Sequence, residues 1–480
     1  MKTFVSLLSA ALVTASAAAA IPSVGPDYQR PETPAAPAWR DADSTAWKDG
    51  APADAFARGE WWTLFADATL DALEARALAA NQDLRAAAAR VDEARAGTGV
   101  ARSAYWPQFG ADLSVIRTQG SLTTPNGLPD PLATTYRAPL VASWELDIFG
   151  RIRRLNEGAR AGAEASAATY EAVRLSLTAE VAVNYFSLRA LDQESKLIAD
   201  GVELRQQALD LVTSRRKSGA ATDFDVARAE TELALTQADA AATAKHRAAL
   251  QNALAVLVGA PAPEFELSTL SPQPSAIPAV PAGLPSGLLE RRPDVAAAER
   301  ALAAANARIG VAKAAFFPAL SLTGGAGYAS GDIDLLFTAD SRTWAFGPSL
   351  YLPIFQGGRN RANLERSRAA YEASVATFRQ SVLVAFREVQ DALTGTRLLA
   401  AQSAAQDRAV EAARRAGALA QKRYDAGFVN YFEVIDAQRT VLSAERTSAQ
   451  LAAQRLNNSV TLIKALGGGW TAVPTTVAAR

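Results

Sequence analysis

Two hydrophobic periods alternate along the chain. Apolar residues at Val173, Leu177, Val181, Tyr185, Leu188, Leu191, Ile198, Val202, Leu209 and Val212 recur near the 3.6-residue helical repeat. Alanine, the best helix former, fills most of the places between them. Residues 152 to 216, taken as one helix, would run about 100 Å at 1.5 Å per residue, more than the diameter of a compact domain. The chain then turns at Ser218-Gly219 and returns along residues 223 to 257, and a second turn of the same kind stands at Ala426-Gly427. Each half therefore holds a long antiparallel helical hairpin. Helices of this length with a seam near 3.5 residues supercoil against neighbours.

Ahead of each hairpin the period falls to two. Phe109, Ala111, Leu113 and Val115 alternate with Gly110, Asp112 and Ser114, and Leu140, Ala142, Trp144 and Leu146 with Val141, Ser143 and Glu145. In the second half Leu320, Leu322, Ala326 and Tyr328 alternate with Ser321, Thr323 and Gly325, and Trp344, Phe346, Leu350 and Leu352 with Ala345, Gly347 and Ser349. These read as strands near 109–117, 138–146, 319–329 and 344–354, joined pairwise by polar loops at 118–136 and 330–343. Each has about the length of a tilted transmembrane strand, although a small soluble sheet satisfies the same pattern. Four strands cannot close a barrel, and an open edge cannot sit in lipid. A membrane version must be an oligomer: two chains would give eight strands filled by side chains, three would give twelve and a wider lumen.

The halves are copies. No proline lies between Pro139 and Pro261 or between Pro353 and Pro474. A shift of 208 places Gly150-Arg151 on Gly358-Arg359, Arg215 on Arg423, Gly219 on Gly427, Phe224 on Phe432 and Gly259 on Gly467. The reading divides the chain into a leader (1–20), an extended segment (21–67), a first repeat (68–259, with a helix, two strands and the hairpin 152–257), a Pro-rich linker (260–286), a second repeat (287–467, with the hairpin 358–465) and a tail (468–480).

Composition removes most chemistry. The 480 residues carry 49 basic and 49 acidic side chains, no Cys and a single His. Disulfides, thiolate nucleophiles, cysteine zinc sites and paired imidazoles are excluded, and zero net charge speaks against a broad nucleic-acid surface. Lys2, the apolar run Phe4 to Val13 and the close Ala18-Ala19-Ala20 form a secretory leader. Read instead as an uncleaved anchor, that run is diluted by Ser6, Ser9, Thr14 and Ser16. Beyond residue 20 no run of about 18 apolar residues could cross a bilayer as a helix. There is no phosphate-loop, nucleophile-elbow, HExxH or EF-hand motif. His246, between Lys245 and Arg247, reads as a solvated helix face, and Gly324-Gly325-Ala326-Gly327 belongs to a strand. The expectation is no enzyme, no cofactor and no metal.

Seven motifs in order carry a resemblance over nearly the whole mature chain. They are Val24-Gly25-Pro26-Asp27-Tyr28-Gln29-Arg30-Pro31, Trp61-Trp62 with Phe65, Asn81-Gln82-Asp83-Leu84, Ser143-Trp144-Glu145-Leu146-Asp147-Ile148-Phe149-Gly150-Arg151, Arg291-Arg292-Pro293-Asp294, Leu352-Pro353-Ile354-Phe355-Gln356-Gly357-Gly358-Arg359 and Ile435-Asp436-Ala437-Gln438-Arg439. The sequence resembles the TolC-like outer membrane efflux proteins, in the NodT/OprM branch that serves tripartite pumps. The resemblance implies a mixed α/β membrane protein of the bacterial outer membrane. It would be a homotrimer with a twelve-stranded barrel, four strands per chain, continued by a long α-helical periplasmic tunnel. An equatorial belt would hold the N-terminal segment, the linker and the tail. The implied function is the passive exit duct of a tripartite pump for drugs or toxic small molecules. The implied partners are outer membrane lipid, a periplasmic adaptor and an inner-membrane pump of the RND type. Many relatives carry an acylated Cys ahead of the Gly-Pro-Asp-Tyr motif. Here Ile21-Pro22-Ser23 stand in that region, so lipidation is excluded.

The same resemblance gives roles to the hairpin turns. It places Glu433 and Asp436 at a periplasmic constriction, six carboxylates in a trimer. It pairs Tyr424 with Asp225 across neighbouring hairpins as a latch. Val429 stands where many relatives carry a charge, so Phe428 and Val429 would close the tip by apolar contact. Gly219, Ala220 and Gly427 form turns that would dock the adaptor. The residues by themselves also admit a plainer reading: Thr222-x-x-Asp225 and Asn430-x-x-Glu433 both fit capping boxes, the second with Val429 and Val434 as a hydrophobic staple. Two other functions fit the same pattern, a channel for type I protein secretion and a periplasmic coiled-coil scaffold outside the membrane.

Overall fold

The computed structural model describes residues 23–32, 39, 59–121, 132–269, 278 and 292–468. The leader 1–20, most of the linker and all but the first residue of the tail lie outside these residues. The described elements run α1 (Ala68–Ala80), α2 (Gln82–Ser103), β1 (Gln108–Ala111), β2 (Ser114–Gln119), β3 (Leu132–Leu146), α3 (Arg151–Lys217), α4 (Asp223–Leu257), α5 (Pro293–Ala314), β4 (Ala319–Ser330), β5 (Arg342–Tyr351), α6 (Arg359–Asp425) and α7 (Tyr431–Ala465). Helices α3 and α6 have 67 residues each, and α4 and α7 have 35 each. Every boundary of the second hairpin lies 208 residues beyond its counterpart in the first. None of the described helices is long and apolar enough to cross a membrane.

The chain divides into two compact units, and neither is a repeat. One takes Met1–Glu32, Arg90–Ser166 and Ala297–Phe378, the other Thr33–Ala89, Ala167–Ala296 and Arg379–Arg480. The reason is strand pairing. β3 of the first repeat bonds along its length to β4 of the second, from Tyr136 opposite Ser330 to Leu146 opposite Leu320, so one sheet needs both halves.

That sheet is antiparallel throughout, in the order β1-β3-β4-β5, with β2 also paired to β3. The strand expected over 109–117 is two strands, interrupted at Asp112 and Leu113. Asp112 N–H donates to Pro139 O, but Pro139 has no N–H to return the bond. β3 begins at Leu132, earlier than expected, because β2 gives its first residues a partner. β5 stops at Tyr351, just before Leu352-Pro353. On the other side of β3, Gly327 faces Pro139 so closely that a Cβ there would lie 2.3 Å from Ala138 O.

In the same unit, residues 24–30 form an extended strap. Val24 N–H donates to Phe149 O, Asn306 Nδ2 to Pro26 O, and Arg154 Nη2 to the Asp27 carboxylate at 2.7 Å. Tyr28 packs on Ala161, Ala303 and Ala304, and Arg30 pairs with Glu299.

The other unit holds the main apolar core. Trp61, Trp62 and Phe65 form a 3₁₀ turn buried against Leu70 and Leu73 of α1, Val181, Tyr185 and Leu188 of α3, and Leu254 and Val258 from α4 and its end. Phe65 and Phe186 lie 4.9 Å apart between ring centroids. Asp67 caps α1 through Thr69 and Leu70 N–H groups and accepts the Tyr185 hydroxyl at 2.7 Å. Burial and that carboxylate push the Tyr185 phenol up to about 12. The single helix expected at the start of the first repeat is two, α1 and α2. Asn81 ends the first, donates to Leu257 O, and accepts Leu84 N–H at the start of the second. Gly259 packs against this break, where a Cβ would lie 2.5 Å from Ala80 O.

Candidate functional site

Register turns the sheet into two chemically distinct faces. Phe109 pairs with Ala142, which pairs with Gly324 and through it with Phe346. Ala111, Leu140, Ala326 and Trp344 form the next row, and Leu146, Leu320 and Leu350 a row nearer the helices. These residues share one face because side chains alternate along each strand. The face is continuous and apolar, with Phe109 70%, Trp344 82%, Phe346 73% and Leu350 67% exposed in the single chain. The opposite face carries Ser143, Thr323 and Gly347 in one row and Gly110, Val141, Gly325 and Ala345 in the next. Small and polar residues dominate it. No sequence period alone could align the rows across strands.

The ends of the two hairpins use one device twice. Ala220 N–H donates to Arg215 O and Gly219 N–H to Arg216 O; Phe428 N–H donates to Arg423 O and Gly427 N–H to Tyr424 O. Both are Schellman closures, which need a left-handed residue. Gly219 has φ 79° and Gly427 φ 77°, while a Cβ at either would meet nothing within 4 Å among the described residues. The glycines are thus required by the backbone dihedral and leave the space around the turn open.

Beyond the turns the two hairpins differ. Thr222 and Asp225 form the expected capping box: Asp225 N–H donates to Thr222 Oγ1 at 3.2 Å, and Thr222 N–H to Asp225 Oδ2 at 2.8 Å. These bonds hold the Asp225 carboxyl below its ordinary value. The box expected at Asn430 and Glu433 does not form. Asn430 accepts Phe432 N–H instead, and the Glu433 carboxylate turns back to Arg423 at 3.2 Å. The Arg423 guanidinium, in the last turn of α6, outcompetes the neutral N–H because both of the paired groups are charged.

Tyr424 is buried, with its hydroxyl accepting from Arg215 Nη1 and the Arg215 guanidinium 4.7 Å from its ring centroid. Within the chain Tyr424 and Asp225 thus have separate partners. Val429 packs inward against Ala420, Tyr424 and Val434, consistent with the staple, whereas Phe428 is 80% exposed. Asp436 and Ala220 are exposed. The repeat-related Phe224 and Phe432 lie 6.1 Å apart, with Arg228 stacked 3.8 Å over Phe432. No motif in the sequence marks Arg215, Arg423 or Arg228. The 208-residue shift does align Arg215 with Arg423, which marks the pair as part of the turn. His246 is exposed on α4, as its flanking charges indicated.

Comparison with known proteins gives this geometry a family. The outer membrane efflux protein model matches residues 73–260 and 284–468. The solvent efflux pump outer membrane protein SrpC of Pseudomonas putida is 36% identical over 457 residues, covering 93% of this chain and 95% of that protein. The cation efflux system protein CusC of Escherichia coli O6:H1 is 34% identical over 450 residues, 93% of this chain and 96% of that protein. The solved structure of the outer-membrane channel OprN superposes with a TM-score of 0.85 at 33% identity, covering 93% of this chain and 99% of that one. With this fold and these relatives, the chain belongs to the outer membrane efflux protein family and is a passive channel of the bacterial outer membrane rather than an enzyme.

Proposed function

We propose that three copies of this chain close their sheets into one twelve-stranded barrel and serve as the exit duct of a tripartite pump for organic solvents and related toxic small molecules. The observation that carries this reading is the five-stranded sheet with one continuous apolar face and two edges unpaired among the described residues, β5 at one side and β1 with β2 at the other. Lipid suits that face and forbids those edges, so pairing β5 with the β1–β2 edge of the next copy satisfies both. The apolar face also argues against a scaffold outside the membrane. The names of the relatives, a solvent pump and a cation system among them, favour small-molecule efflux over protein secretion.

The helical hairpins then form the periplasmic mouth. Asp436 and Glu433 line its constriction, and Tyr424 and Asp225 latch neighbouring hairpins across copies, with exposed Phe428 adding apolar closure. Gly219, Ala220 and Gly427 keep the turns narrow enough for an adaptor's helical hairpin, and the energy comes from an inner-membrane pump of the RND type. Native mass spectrometry of the purified protein in detergent should show three copies. Deletion of the gene should sensitise cells to toluene-like solvents. A stable monomer with full β content, or unchanged solvent tolerance, would sink the reading.

A further inference from the structure

The small-residue face of the sheet is rich in glycine and alanine. Gly110, Gly325, Gly327, Ala329 and Gly347 lie on it beside a few larger uncharged side chains such as Ile116 and Val141. Two charges break this surface, Asp112 and Arg137. Asp112 stands opposite Pro139, and Arg137, two residues earlier on β3, pairs with Ser114 and Ala329. Both follow the alternation of the small-residue face, on adjacent rows. Both are exposed, and neither takes part in an ion pair among the described residues. Glu145, the other charge on this face, is already matched by Arg151 at 2.7 Å, close to the helices. Asp112 and Arg137 lie farther from the helices, toward the strand ends that the loops join.

We infer that Asp112 and Arg137 form a bipolar charge belt on the inner wall of the barrel that sorts exported solutes by charge. This rests on the trimeric channel reading, which turns the small-residue face toward the lumen and repeats the pair three times. Gly327 and Ala329 beside the belt are small, and Asp112 and Arg137 are the charged groups on this stretch of the face. Unpaired charges there act over about one Debye length, roughly 8 Å at physiological salt, which is a large part of such a lumen. A cation passing the belt is drawn to Asp112 and repelled by Arg137, and an anion the reverse. A solute carrying both signs is held by both, so the belt favours neutral and zwitterionic molecules over multivalent ions of either sign.

The absence of Cys makes a local test direct. Thr135 lies two residues from Arg137 on the same face, about 7 Å along the strand. In the full mature protein, Thr135→Cys provides a single thiol whose reaction rates with an anionic and a cationic methanethiosulfonate report the potential at the belt. Replacing Arg137 by Gln in that background should, at low ionic strength, slow the anionic reagent and speed the cationic one, each about threefold for one charge at that distance in water. Asp112→Asn should shift both rates the opposite way. Unchanged rates in both variants would overturn the belt. Failure of either reagent to react would overturn it too, because the face would then not line a wet lumen. Native mass spectrometry on the same samples separates failure of the belt from failure of trimer assembly.

Discussion

At the scale of single residues, the hairpin ends show how one sequence signature can lead to two outcomes. Thr222-x-x-Asp225 closes a capping box through two reciprocal bonds, whereas Glu433 is captured by Arg423. Asp225→Ala and Thr222→Ala should each cost about 1 kcal/mol of stability, and the double variant little more than either alone, since they share one device. The carboxyl of Asp225 is held below 3.8, so its contribution is present above that value and fades as pH falls through its lowered folded value. Chemical denaturation at pH 7 and at pH 3 measures both effects; equal costs at the two values would remove the cap. Asp436 is exposed and has no part in a cap. Asp436→Ala should abolish most block by trivalent cations added from the periplasmic side in a planar bilayer. If block survives, the constriction must be sought in Phe428.

Among the elements, α1 holds the clearest conflict between local chemistry and packing. Glu74 is fully buried beside Leu70, Leu73 and Ala77, and neither carboxylate oxygen has a hydrogen-bond partner among the described residues. Burial first, and Asp71 second, push it up to about 9 against an ordinary 4.5. The folded chain therefore keeps a proton that the unfolded chain releases. This sets the sign: stability declines as pH rises from about 4.5 toward 9, reaching a cost of about 3 kcal/mol by pH 7. Glu74→Leu should raise the melting temperature at pH 7, and Glu74→Gln should flatten the dependence between pH 5 and 9. A melting profile of Glu74→Gln that parallels the parent would show that this carboxyl does not titrate in the fold. The acid was visible in the sequence, but its burial was not, because Asp71 and Glu74 stand among alanines that give the helix no sharp apolar side.

For the whole molecule, the two faces of the sheet make neighbouring residues unequal. Ala142 belongs to the apolar face and Ser143 to the small-residue face. In the proposed barrel Ala142→Arg would face lipid and should cost about 2–4 kcal/mol, whereas Ser143→Arg would face water and should be tolerated. The yield of assembled protein in outer membrane fractions reads the difference; equal yields would contradict the assignment of faces.

The helical hairpins, the four strand regions, the duplication and the turn glycines are legible in the residues alone. Each of these follows from local period, from self-similarity along the chain, or from a backbone dihedral that glycine adopts at little cost, as Gly219 and Gly427 do at the two turns. Only the tertiary structure decided the rest, because it depends on what lies across from a residue rather than beside it. The missing N–H of Pro139 splits the first strand, Arg423 takes Glu433 from its cap, and Arg215 takes the hydroxyl of Tyr424. The same holds for the two units. Duplicated sequence suggests two domains, but strands whose backbone groups must be paired bond across the repeats, so the two copies share one sheet.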